Sequence, residues 1–421
     1  MFLALSIFIV MYIFLLALPK YRSYTAVITA VLFIVLGILP VKNALTAINY
    51  NVIMMLTGTM LIVELFIESD MPSYMAENLL KIVPNVQWAV VLLSLFAGII
   101  SAFVDNVATV LMVAPVGIEV CKKIKTNPVP VIISIAVSSN LQGAATLVGD
   151  ATSILLGSYA DLSFNDFFWF NGKPGICFAV ELGALLTIPV ILFLFRHEKG
   201  KVNEEVTVKI TDYTPTYFLI GMIISLIVAS QFENKPELTN GFICCGLALI
   251  LIVIEAIKQK NIKVIPNTII TLDIETLLLL CGLFVVIEGI TEAGVIEKIV
   301  EIFMNAGGDN VFVMYTLIVF VSVLVSAFID NIPYVATMLP VVTGIAAMMG
   351  ISPYLFDFGL LIGATLGGNI TPVGASANIA GIGILRKNGY EVKNSDFFRI
   401  GIPFTLVAVL SGYLFLWFVW A

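Results

Sequence analysis

The chain has 421 residues, 60% of them hydrophobic and 12% charged, with a mean hydropathy of +1.07. A soluble domain carries roughly 25% charge, so this composition describes an all-α polytopic membrane protein. The net charge of −7 includes no basic run suited to nucleic acid, and the single histidine and five cysteines show no metal or redox spacing.

Apolar stretches of ~20 residues cross the hydrocarbon core as helices. The sequence predicts helices at 1–18, 23–39 and 49–67, a hairpin at 86–121, a broken helix at 128–161 and a helix at 174–195. The first stretch lacks a basic start and a cleavage site, so it is expected to be a retained helix rather than a signal peptide. A polar link at 196–214 follows. The second set comprises 215–232, 239–257, 271–290, a hairpin at 311–349, a broken helix at 354–385 and 400–420. About ten transmembrane helices, two re-entrant hairpins and two unwound helices result.

The two sets are related. SAFVDNVATVLMVAPV (Ser101 to Val116) recurs 225 residues later as SAFIDNIPYVATMLPV (Ser326 to Val341), with eight of 16 positions identical. That places the first repeat at 1–195 and the second at 215–421. Only Asp105-Asn106 and Asp330-Asn331 interrupt these apolar runs, so each run is expected to re-enter with its tip inside protein or beside water. Tracing alternating sides puts 17 basic residues, Arg22, Lys125, Lys199 and Lys201 among them, on one side and four on the other. The rich side should be cytoplasmic, with both termini outside and the link inside. Five crossings per half give an inverted repeat, the signature of a secondary transporter.

A second matched pair lies in the broken helices. Thr146, Val148 and Gly149 align with Thr371, Val373 and Gly374. Unwound backbone offers carbonyls to a small cation and half-helix N-termini to an anion. Thr109, Asn140, Thr146, Ser153, Asn369, Thr371, Ser376 and Asn378 supply further neutral polar groups. Asp105 and Asp330 are the strongest individual signals, because a charged Asp at the bilayer centre costs about 2.5–3.5 kcal/mol. Each can cap the second hairpin arm, ligate a cation or carry a proton. Asp150 has no acidic twin, since Ala375 stands at its place. The candidate cation ligands are Asp105, Asn106, Gly149, Asp330, Asn331 and Gly374, with Na+ or H+ as coupling ion and no cofactor.

FVDNVATVLMVAPV, NLQGAATLVGDATSILLGSYADLSFNDFF and GGNITPVGASANIAGIGILRKNGYEV resemble the ion transporter superfamily. Within it the chain is similar to the branch of the P protein, NhaD-type sodium/proton antiporters and arsenite efflux carriers. The resemblance implies two inverted halves, hairpin tips at Asp105-Asn106 and Asp330-Asn331, unwound segments at Thr146 to Ser153 and Thr371 to Asn378, and a homodimer. Dicarboxylate carriers of the superfamily have Ser-Asn-Thr at the tips, where this chain has acids. The related branch reads Gly-Asp-Pro-Pro-Asn where Gly149 to Ser153 stand here. Cation/proton antiport through Asp105, Asp150 and Asp330 is the leading expectation, followed by efflux of arsenite or another small oxyacid and then a sodium-coupled organic anion carrier. An aspartyl intramembrane protease is disfavoured because Leu147 stands where its first motif glycine would be. A passive channel does not need two acidic hairpins.

Overall fold

The computed structural model describes residues 1–124, 126–198, 200, 208–232 and 234–421. The first half contains α1 (Phe2–Ala17), α2 (Arg22–Val35), α3 (Val41–Ala47), α4 (Tyr50–Glu68), α5 (Met71–Leu80), α6 (Val86–Ser101), α7 (Asn106–Ile124), α8 (Pro128–Gly143), α9 (Ala151–Tyr159) and α10 (Ile176–Leu194). The second contains α11 (Thr214–Ala229), α12 (Thr239–Lys258), α13 (Val264–Ile270), α14 (Ile274–Glu292), α15 (Val295–Gly307), α16 (Val311–Ser326), α17 (Asn331–Met349), α18 (Tyr354–Gly367), α19 (Ser376–Lys387) and α20 (Asn394–Trp420). Ten helices thus follow ten in the same order. The only described strands are β1 (Trp169–Phe170) and β2 (Lys173–Pro174), an antiparallel pair before α10.

Side-chain caps recur with the helices. Asn85 and Asn310 accept backbone N–H bonds at the starts of α6 and α16, as Asn49 and Asp273 do for α4 and α14. A side-chain oxygen there satisfies a donor that has no intrahelical partner, which matters most where water is scarce. Reciprocal packing joins the halves: α2 lies against α14 and α4 against α12, while α10 lies against α20. Within each half the hairpin packs on its own broken helix, α6 on α8 and α16 on α18. Large apolar side chains such as Leu185, Ile257 and Phe418 face outward, as they do on a lipid-facing surface.

Among the described residues six helices are long and apolar enough to cross a bilayer, or up to eight if each of two bent pairs counts as one span. One bent pair comprises α1 and the 19–35 segment, which turn by 119°. Such a turn makes two elements rather than one straight span, as the sequence suggested for 1–18 and 23–39. The short helices α3, α5, α13 and α15 were not anticipated, because helices of 7 to 13 residues fall below the spanning length.

The reversals sit one to three residues earlier than expected. α6 ends at Ser101 and α7 begins at Asn106, so Ala102 to Asp105 form the first tip; Ala327 to Asp330 form the second. The breaks in the other helices are also shifted, to 144–150 and 371–375, the latter preceded by a 3-10 turn at Gly368–Ile370. Helix resumes directly afterwards, since Ser153 and Ile154 N–H donate to Asp150 O, and Asn378 and Ile379 N–H to Ala375 O. Ser153, Ser376 and Asn378 therefore lie in first helical turns, not in unwound chain. Lys125, Lys199, Lys201 and the 201–207 part of the link lie outside the described residues.

Candidate ion-binding site

Each tip is held against its half's broken helix by the same two devices. Thr146 Oγ1 donates to Ala102 O, and Thr371 Oγ1 donates to Ala327 O at 2.5 Å. Beside each threonine a glycine lies flat on the same carbonyl. A Cβ on Gly149 would fall 2.5 Å from Gly143 O and 2.8 Å from Ala102 O; on Gly374 it would fall 2.6 Å from Gly368 O and 2.8 Å from Ala327 O. Only glycine permits that approach. The repeated Thr-x-Val-Gly therefore fixes the unwound backbone against the hairpin.

The acidic residues do cap their second arms, with different consequences. Asp105 Oδ1 accepts from Val107 N at 2.9 Å and Ala108 N at 3.1 Å. Asp105 also lines a small cavity of about 20 Å³, together with Thr59 of α4, Val148, Gly149 and Asp150. That is room for about one water-sized particle. Asp150 occupies the N-cap position of α9 without capping it. Its Oδ2 accepts instead from Thr152 Oγ1 at 2.8 Å and from Asn331 Nδ2 at 3.2 Å, the latter on the other half's hairpin. No salt bridge reaches Asp105 or Asp150 among the described residues.

Asp330 is placed differently. Its Oδ1 accepts from Ile332 N at 3.2 Å, and its Oδ2 accepts from Ser376 Oγ at 2.9 Å and Arg22 Nη1 at 2.8 Å. The Asp330 side chain is 4% exposed and the Arg22 side chain 17%. Arg22 therefore is not the free loop charge that the topology count made of it, because the bend after α1 turns the start of α2 onto the second tip. Tyr12 fixes the same approach by donating to Pro333 O at 2.9 Å and sharing a 2.7 Å hydrogen bond with Thr337.

Four asparagines form the wall behind the site. Asn106 Nδ2 donates to Asn140 Oδ1 at 3.1 Å, and Asn140 Nδ2 donates to Asn369 Oδ1 at 2.8 Å and Asn378 Oδ1 at 3.0 Å. Asn369 and Asn378 pass their own amide protons to the carbonyls of Val137, Gly368 and Thr371. These buried amides are engaged with one another and join the halves. Thr109 Oγ1 donates to Val104 O at 3.5 Å, and Ser153 Oγ to Gly143 O at 3.4 Å, so both are also turned to the chain.

The fifteen sequence-predicted residues thus form an acidic front (Asp105, Asp150, Asn331, Asp330, Ser376) and a rear of engaged amides, hydroxyls and flat glycines. No three His, Cys, Asp or Glu side chains among the described residues come close enough to hold a metal ion. Asp105, Asp150 and Asp330 are accordingly not one cluster, and a cation here would also need neutral oxygens such as Thr59. Sequence reasoning missed Arg22, Thr59, Thr152 and Thr365, which shares a 3.2 Å hydrogen bond with Thr152. Arg22 reads as an interfacial charge, and the threonines give no signal in an apolar helix.

A larger hollow of about 820 Å³ opens beside α4 and α9, lined by Asn49, Ser158, Asp161 and Lys235 among others. Met55 and Leu147 are among its lining residues, and Leu56 and Val148, their chain neighbours, line the small cavity.

This arrangement of apolar spans and broken helices is that of a polytopic membrane protein, and the chain's family and relatives are membrane transporters, not enzymes. The chain belongs to the citrate transporter family (CitMHS), which it matches over residues 9–357. It is 31% identical over 393 residues to an uncharacterized transporter of Mycobacterium tuberculosis, covering 88% of this chain and 86% of the relative. It is 27% identical to the mouse P protein, covering 88% of this chain and 54% of that protein. The fold is also that of the Neisseria gonorrhoeae transporter MtrF, with a TM-score of 0.60 at 14% identity over 93% of this chain and 85% of that one. These findings bear out the ion transporter superfamily resemblance.

Proposed function

We propose that this chain exchanges a small monovalent cation, sodium foremost, against protons by alternating exposure of the Asp105–Asp150 cavity. The observation that carries this reading is two aspartates lining one small cavity, neither with a cationic partner among the described residues. Buried carboxylates without a counter-charge favour a bound cation or a proton, and alternation between those states is antiport. Neutral arsenite gains less from two charged carboxylates, so it ranks below a cation. The large hollow supplies the route to one face, and Met55, Leu56, Leu147 and Val148 separate it from the cavity. In this reading both termini and the hollow face outward, the 196–214 link faces the cytoplasm, and two copies assemble as a homodimer in the lipid bilayer.

A second reading, coupled transport of an organic anion such as citrate, draws on the family's description and on Arg22. Its guanidinium is a donor suited to a carboxylate. Charge displacement on a solid-supported membrane separates the two. Sodium or lithium jumps should evoke transient currents that Asp105→Asn abolishes. Currents evoked by citrate alone would transfer the assignment to the second reading.

A further inference from the structure

We propose that Arg22 is a resident counter-cation. It takes the second of the two duplicated cation positions, so the chain binds one exchangeable cation, at Asp105 and Asp150, rather than two. This rests on the reading of that cavity as a cation site.

Duplication gives each half an acidic hairpin tip beside a Thr-x-Val-Gly break. Two equivalent tips would make two equivalent cation positions. They are not equivalent. At Asp330, chain donors engage both oxygens: one backbone N–H on Oδ1, one hydroxyl and one guanidinium on Oδ2. At Asp105 both hydrogen bonds fall on Oδ1, and none reaches Oδ2 among the described residues. The asymmetry is written in the flanking helices. α2 begins with Arg22, whereas its counterpart in element order, α12, begins Thr239-Asn240-Gly241.

A guanidinium stays protonated at any physiological pH and is less strongly hydrated than an ammonium, which suits it to a buried pair. Tethered to α2, it cannot be carried across the membrane. It supplies at Asp330 the positive charge that a bound sodium ion would supply at Asp105. Removing Arg22 alone leaves a buried carboxylate uncompensated, and sodium is the cation available to replace it.

The test is a sodium titration of the purified full chain in detergent, read by thermal unfolding. Ionic strength is held constant with N-methylglucamine. At high sodium the slope of unfolding free energy against RT ln[Na+] counts the ions the folded chain holds. Wild type should give a slope near 1, Arg22→Gln near 2, Arg22→Lys near 1, and the neutral pair Arg22→Gln/Asp330→Asn should return it to 1. If Arg22→Gln unfolds without sodium and recovers with it, the slope of 2 is read over the sodium range in which it is folded, and a slope of 1 there contradicts the proposal. A variant that stays unfolded at every sodium concentration, while the neutral pair folds with one site, contradicts the proposal. So does a folded Arg22→Gln with a slope of 1, or wild type with a slope of 2. Wild type indifferent to sodium would instead overturn the cation-site reading itself.

Discussion

Asn331 Nδ2 donates to Asp150 Oδ2 across 3.2 Å, and the two residues belong to opposite halves of the chain. Asp150 has no acidic twin, so this contact is one-sided: the second hairpin holds the first half's carboxylate. Asn331→Ala should leave Asp150 with Thr152 alone and weaken sodium binding about tenfold, or ~1.4 kcal/mol. Asn331→Asp should instead strengthen it in the deprotonated form, because a second carboxylate beside Asp150 adds repulsion that a bound cation relieves. Sodium titration at pH 8 checks both, and an unchanged midpoint in either variant would separate this contact from binding.

The flat glycines give a stability prediction. Gly149→Ala and Gly374→Ala each push a methyl into backbone carbonyls that cannot rotate away. Overpacking of this kind costs about 1–3 kcal/mol. Both variants should melt several degrees lower in detergent, while Gly221→Ala, with nothing near its added Cβ, should not. Equal melting of all three would show that the tips are not pressed against the breaks.

Asp357 of α18 is 1% exposed, and neither carboxylate oxygen has a hydrogen-bond partner among the described residues. An unpartnered buried polar group costs roughly 1–3 kcal/mol. Asp357→Asn, which removes the latent charge and keeps the shape, should raise the melting temperature or leave it unchanged. A lower melting temperature would show that the carboxylate has a partner in the folded protein.

The hollow is the route in this account, so its rim should be reachable from one side only. Ser158 lines it, held by Asn49 Nδ2 at 2.7 Å. In a chain with its five cysteines replaced, Ser158→Cys should react with a membrane-impermeant thiol reagent added to right-side-out vesicles. Reaction only in inverted vesicles would reverse the topology drawn from the lysines and arginines.

Much of the site was legible because its two copies sit at one offset. Asp105, Asp330, Thr146, Thr371, Gly149 and Gly374 all announce themselves by recurrence, and the structure gives matched contacts to the threonine and glycine pairs. Departures from symmetry were harder to read. Asp150 stood out because Ala375 stands at its place in the other half. Arg22 did not, because an arginine after Pro19 and beside two tyrosines has the composition of a membrane-interface loop; only the 119° bend brings it to Asp330. The asparagines were expected to face an ion, yet their amides satisfy one another, a pairing that depends on helix approach rather than spacing. The short helices were invisible to a criterion based on spanning length.

The most direct test of the central claim is proton movement in proteoliposomes loaded with a pH-sensitive dye and given a sodium pulse. Wild type should show a sodium-dependent pH change, reduced at least tenfold in Asp105→Asn and in Asp150→Asn at equal protein incorporation. A pH change of undiminished size in both variants would contradict the claim, as would wild-type vesicles that respond to citrate and not to sodium.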